Sequence, residues 1–151
     1  MPDFIITYET LYELLRREKY KKELQELNKT FFNDTIKYLN EKQAMLDESQ
    51  KKESVFATSE ISKIKKQLQN VRNILKELYD RRENKILQEA LFSSRSKEKK
   101  DFSAMLPEEI KFYKSIKSTL NFYRDCILFN LLSNKFPVLE KPKVIKSDKI
   151  K

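Results

Sequence analysis

The chain contains no glycine in 151 residues, where average usage would place roughly ten. Glycine supplies the positive φ of tight hairpin turns and the bare backbone of phosphate-cradling loops. A P-loop and a dinucleotide fingerprint are therefore excluded, and a hairpin-rich β fold is disfavoured. Helices joined by glycine-free loops remain, and the chain reads as all-α.

Histidine is absent too, and Cys126 is the single cysteine. Histidine-dependent triads, zinc fingers and disulfide frameworks cannot be assembled from such an inventory. Cys126 lies in an apolar run, Asp125-Cys126-Ile127-Leu128, and reads as a small core residue. The carboxylates are interspersed with lysines in the manner of solvated helix faces. The expectation is a protein that is no enzyme, holds no cofactor or metal, and acts by binding. No run of about 18 apolar residues is present to span a membrane. The opening Met1-Pro2-Asp3-Phe4 lacks the basic-then-apolar order of a signal peptide. An intracellular, cytoplasmic and chromosome-associated location is expected, or a nuclear one in a eukaryote.

Apolar spacing predicts about four helices, two of them long, in an elongated bundle. Thr7 can cap a first helix from about Tyr8 to Lys22, with Leu11, Leu14 and Leu15 on its buried face. Leu24 to Asn28 reads as a frayed end or short turn. A second helix from about Lys29 to Leu46 would bury Phe31, Phe32, Ile36, Leu39 and Tyr38. Residues 47–57 are polar and read as a loop, after which Ser59 would cap a long helix ending near Phe92. In that helix Ile61, Ile64, Leu68, Val71, Leu75 and Leu78 alternate in steps of three and four, a seam that demands a facing helix. Arg82 occupies the next seam position and weakens it.

Residues Ser93 to Ser103 read as a loop. Pro107, tolerated in a first helical turn, and Glu108 and Glu109, favourable against the dipole, open a fourth helix to about Asn134. Ile110, Tyr113, Ile116, Leu120, Tyr123, Ile127 and Leu131 form its inner stripe. Phe112, Phe122 and Phe129 fall outside that stripe. Such a helix is apolar around more than half its girth, so it is central to the bundle or part of a subunit interface. Residues 1–134 are thus read as a helical domain and 135–151, with Pro137 and Pro142, as an extended basic tail or linker.

The net charge of +9 is concentrated. Residues 94–100 carry +3 and residues 135–151 carry +4, leaving +2 for the remaining 127 positions. Arg95, Lys97, Lys99, Lys100, Lys141, Lys143 and Lys146 are the candidates for loose, salt-sensitive phosphate contact. Their other reading is solubility. No base-reading motif is present, so any DNA contact is expected to be weak or indirect.

Three stretches resemble the GINS family of replication factors, in the half of that family that carries its helical domain first. They are Tyr8-Glu9-Thr10-Leu11-Tyr12-Glu13-Leu14-Leu15-Arg16-Arg17-Glu18, Glu23-Leu24-Gln25-Glu26-Leu27, and Phe31-Phe32-Asn33-Asp34-Thr35-Ile36-Lys37-Tyr38-Leu39. Leu106-Pro107-Glu108-Glu109 and Tyr123-Arg124 are similar to the opening and interior of the family's closing helix. The family type is the archaeal fifty-one (also called fifteen) subunit. The resemblance implies a non-catalytic scaffold in a hetero-tetramer with a companion subunit of the twenty-three type. It also implies partners in the MCM ring helicase and a RecJ-like, Cdc-forty-five-related protein, with links to primase or polymerase. Family members carry a small β-rich domain after the helices; Phe136 to Lys151 reads as the linker, and no β domain follows within these residues. The protein-interface candidates are Leu11, Arg16, Arg17, Phe31, Phe32, Ile61, Ile64, Leu68, Phe112, Phe122 and Phe129. Arg16-Arg17-Glu18 also reads as a salt bridge within the domain, and Phe31-Phe32 as one core ring beside one contact ring. Rival readings are a stand-alone helical nucleic-acid-binding protein and a generic coiled-coil adaptor.

Overall fold

A computed structural model describes residues 5–140. Each helix start has a local cause. Thr7 Oγ1 accepts from the Thr10 N–H at 3.2 Å, and the Thr10 hydroxyl oxygen accepts from the Thr7 N–H at 2.7 Å. This reciprocal cap opens α1, Tyr8–Tyr20. α2 spans Phe31–Gln50 and α3 spans Val55–Arg95. α4 spans Pro107–Tyr123 with its proline in the first turn, and runs on through a π-helical segment, Arg124–Phe129, and a last α-turn, Asn130–Leu132. The described residues contain no strand, and the fold is all-α. No helix among them is long and apolar enough to cross a membrane.

The loop expected over 47–57 shrinks to residues 51–54. Ser54, not Ser59, caps α3, its Oγ accepting from the Ala57 N–H at 3.1 Å. Glu, Gln and Lys are good helix formers when solvated, so polarity there marks an exposed helix end and not a break. α1 stops at Tyr20, two residues short of expectation, because Lys21 is already extended.

At 41 residues α3 is roughly 60 Å long, and it packs against each of the other three helices. α2 covers the first half of its seam, where Leu46 packs with Ile64 and Leu68. Farther along, Val71, Ile74 and Leu78 join Leu11, Leu14 and Leu15 of α1, with Phe31 and Leu106 closing the cluster. Ile86 and Ala90 then meet Leu24, Met105 and Tyr113. α4 follows the same direction as the second half of α3, since Glu109 near its start bonds Arg82 and Arg124 near its end bonds Ser94. Residues 96–106 carry the chain back between them. Phe102 of that crossover meets Tyr113 edge-on, 5.4 Å between ring centres.

Arg82 does not interrupt the seam; it is where the elements join. Its side chain is 4% exposed, and that of Glu18 is 0% exposed. All five guanidinium N–H groups donate. Nε and Nη2 reach Glu109 at 2.8 and 2.6 Å, and Nη1 reaches Glu18 Oε1 at 2.7 Å and the Gln25 carbonyl at 2.8 Å. Nη2 also donates to the Ala104 carbonyl at 3.1 Å. Glu18 is equally saturated: it accepts from Arg82, from the Gln25 backbone and side-chain amides, and from Lys85 Nζ at 2.7 Å. Glu109 Oε1 further accepts the Leu106 N–H at 2.8 Å, so one carboxylate both caps α4 and holds the arginine. Two acids and two bases balance, which is the condition for keeping charge in a core.

The Leu24 to Asn28 stretch, expected to fray, is part of the same arrangement. Leu24, Gln25 and Leu27 are buried, and Gln25 Nε2 donates to the Leu14 carbonyl at 2.6 Å. The helix end at Leu132 is closed by Asn134, whose φ of 61° is the one positive value among the described residues. Asn134 N–H bonds the Leu131 carbonyl and Lys135 N–H the Asn130 carbonyl, the paired C-terminal bonds that glycine usually permits.

Removing one partner from such a network leaves an uncompensated buried charge. Arg82→Ala is expected to cost about 3–5 kcal/mol in urea unfolding. Arg82→Lys should recover only part of that, because an ammonium cannot reproduce the fork; full recovery would show that charge alone suffices. Burial pushes the Glu18 carboxyl up, but hydrogen bonds from Lys85, Arg82 and Gln25 outweigh it and leave it below its ordinary value. The unfolded chain therefore takes up this proton first. The stabilisation is full above the unfolded Glu value of about 4.3 and is lost as pH falls below it. Unfolding midpoints measured between pH 6 and 3 should fall less steeply in Glu18→Gln than in the parent.

Candidate protein-interaction surfaces

Two apolar surfaces remain uncovered in the described residues, and α4 contributes to both. Past Arg124, whose guanidinium donates to the Ser94 carbonyl at 2.6 Å and to Ser94 Oγ at 3.0 Å, the helix outruns the end of α3 at Arg95. Among the described residues, no other helix packs on this overhanging end. Ile127, Leu128, Phe129, Leu131 and Leu132 are exposed, Leu132 at 69%, and Phe136 beyond them at 87%. Tyr123, Ile127 and Leu131, expected on the inner stripe, therefore lie outside the core. For Ile127 and Leu131 the cause is geometric, because the neighbour that would cover them has already ended.

The π-helical segment adds a local change of register. Widening the turn displaces a backbone carbonyl, and Asn130 Nδ2 donates to the Cys126 carbonyl at 2.8 Å. Cys126 is buried, and its Sγ lies 3.9 Å from the Glu140 carbonyl as the chain doubles back along the helix.

The second surface is a groove of about 440 Å³ between the start of α2, the middle of α3 and the start of α4. Phe32 and Ile36, Leu75 and Tyr79, and Phe112 form its walls, with Glu83 and Glu108 at the rim. Spacing places Phe32 and Ile36 inside the bundle. Instead they are 43% and 54% exposed, while Phe31 takes the core position. The two rings, tilted and 5.8 Å apart, face opposite environments. The Tyr79 hydroxyl is held above the usual phenol range, first by its hydrogen bond to Glu83. Thr35 Oγ1, buried in the groove wall, makes no hydrogen bond within the described residues.

The remaining interface candidates divide by burial. Leu11, Phe31, Ile64 and Leu68 are core residues, and Ile61 is half-buried beside Leu46. The seam they belong to is covered by α2, so it offers no free face. Arg16 and Arg17 lie in solvent on Glu13, at 2.7 and 3.3 Å. Glu13 sits below its ordinary value, chiefly through the Arg16 hydrogen bond. Exposed pairs of this kind contribute little to stability, because water and salt screen them. The buried ionic partner in that run is Glu18. Phe122 is half-buried, edge-on to Tyr123 with ring centres 5.1 Å apart. Of the basic candidates, Arg95, Lys97 and Lys99 are exposed, and Lys100 pairs with Glu89. Lys141, Lys143 and Lys146 fall outside the described residues.

Sequence reasoning misses Arg82, Glu18, Lys85 and Glu109 as a unit. A signal exists: Glu18 continues the Leu11, Leu14, Leu15 face of α1, and Arg82 continues the α3 seam. Two opposite charges on buried stripes are each other's natural partners. Tyr79 offers no such signal, because its exposure depends on how α2 and α4 diverge across α3. In comparisons with family models, curated proteins and solved structures, no match to this chain was found.

Proposed function

We propose that the chain is a non-catalytic scaffold subunit of a GINS-type assembly. In this role it pairs with a companion subunit of the twenty-three type and, through that complex, binds and activates the MCM replicative helicase. The family part of this reading rests on the ordered resemblance of residues 8–39, 106–109 and 123–124. The observation that carries the binding role is the uncovered end of α4. Apolar patches of this extent, on a helix held rigidly at its base, are characteristic of surfaces completed by another protein. A core-like end is also what obligate subunit interfaces present.

Co-expression with a companion subunit of the twenty-three type tests the proposal. Light scattering should report one hetero-oligomeric species. Leu131→Ser combined with Leu132→Ser should break that species apart. The same pair should leave the urea midpoint of the free chain within about 0.5 kcal/mol of the parent, because both residues are exposed. A monodisperse monomer that ignores the companion would reject the family reading. If that monomer bound DNA with a steep salt dependence lost in Lys97→Ala/Lys99→Ala, the nucleic-acid reading would replace it.

A further inference from the structure

We infer that the groove between α2, α3 and α4 is a docking site for a cationic amphipathic helix of a partner protein. The inference stands on the groove alone and is independent of the scaffold reading, whose family part rests on the sequence resemblance and whose binding role rests on the far end of α4.

The groove's walls determine the kind of occupant. Each of its three helices presents a pair at i, i+4: Phe32 and Ile36 on α2, Tyr79 and Glu83 on α3, Glu108 and Phe112 on α4. Rows of residues four apart are the ridges between which another helix seats its own side chains. With Ile36 at 54% and Tyr79 at 61% exposed, the walls stand open to solvent. That argues for a protein segment and against a small ligand, which would need an enclosing chamber and convergent polar groups. Of the buried polar groups in its lining, Arg82 and Glu109 are bound to each other, which leaves only the Thr35 hydroxyl without a partner among the described residues.

The rim selects the charge of the occupant. Glu83 and Glu108 have no salt bridge among the described residues, although the chain as a whole carries +9. Two carboxylates flanking an apolar trough complement a helix with apolar anchors at i, i+3 or i+4 and i+7 and lysine or arginine beside them. The cations nearby do not cancel the rim. Lys29 is turned away to the Met105 carbonyl at 3.1 Å, and Lys111 lies one turn beyond Glu108 on the exposed side of α4. The chain's own basic segment, residues 141–151, shares the charge, and changing its lysines to glutamine separates it from a partner's helix.

The test uses two labelled, end-capped helical peptides of about fifteen residues with leucine at positions 1, 4, 8 and 11. Lysine fills the flanking positions in one and glutamate in the other, giving anchors about one helical turn apart. Fluorescence anisotropy with the full chain should show saturable binding of the lysine peptide, at least about tenfold tighter than the glutamate peptide, a factor worth 1.4 kcal/mol. Non-specific attraction to a chain of charge +9 favours the opposite order, so that preference can come only from a local acidic site. Glu83→Lys with Glu108→Lys should invert the order, and Ile36→Ser should weaken the lysine peptide about tenfold; thermal melts check that both variants stay folded. No saturable binding, equal affinities, or an order unmoved by the charge exchange overturns the inference. Binding of the lysine peptide only after Lys141, Lys143 and Lys146 are changed to glutamine would mean that the groove holds the chain's own segment, and would equally overturn it.

Discussion

The fold depends on one guanidinium. Arg82 stands about two-thirds of the way along the longest described helix and reaches α1 through Glu18, the 21–30 connection through Gln25, the 96–106 crossover through Ala104 and α4 through Glu109. The apolar clusters on either side of it are each modest, five to ten buried residues. Hydrophobic burial brings such segments together without fixing their register, because it has little direction. A planar ion with five donors does have direction. Every one of its partners must be in place for the charge to remain buried, so the network selects a single arrangement of five segments. Whether it also adds net stability over an apolar replacement is a separate matter, on which buried ion pairs differ from protein to protein.

Anchoring α4 at its base has a consequence at its other end. Glu109 sets where the helix begins, and Arg124 on Ser94 sets its line along α3. Seventeen residues of α-helix followed by the π segment then carry it past the last turn of α3. An apolar stripe that began as core becomes surface without any change in its pattern. The same divergence of α2 and α4 across α3 opens the groove between Ile36, Tyr79 and Phe112. Both uncovered surfaces are therefore products of rigid packing, which is the state in which a binding surface loses least entropy on association. This supports the proposed scaffold role and makes the two surfaces separable by mutation.

Much of the architecture is legible in the sequence because it is written in local rules. The absence of glycine rules out phosphate loops and disfavours hairpins, and the steps from Ile61 to Leu78 mark a helix with a facing partner. Pro107 with Glu108 and Glu109 marks the start of α4. Helix ends are harder: the polar stretch before Ser54 reads equally as loop and as solvated helix. What periodicity cannot report is how far a neighbour extends. Leu131 and Ile116 belong to one stripe by spacing, yet only Ile116 packs on the cluster that holds Ile86 and Ala90 of α3. Phe32 and Ile36 carry the same ambiguity. Charges on buried stripes read as interruptions, and in the structure Glu18 and Arg82 join helices 64 residues apart along the chain.

Hydrogen–deuterium exchange on the chain, alone and in complex with a companion subunit, addresses the central claim that a rigid base presents an unfinished apolar end. Amides around Glu18, Arg82 and Glu109 should be strongly protected in both states, while amides of residues 127–139 should exchange readily in the free chain and become protected in the complex. Equal protection of 127–139 in the two states would mean that this end is not where the partner binds, and would contradict the account.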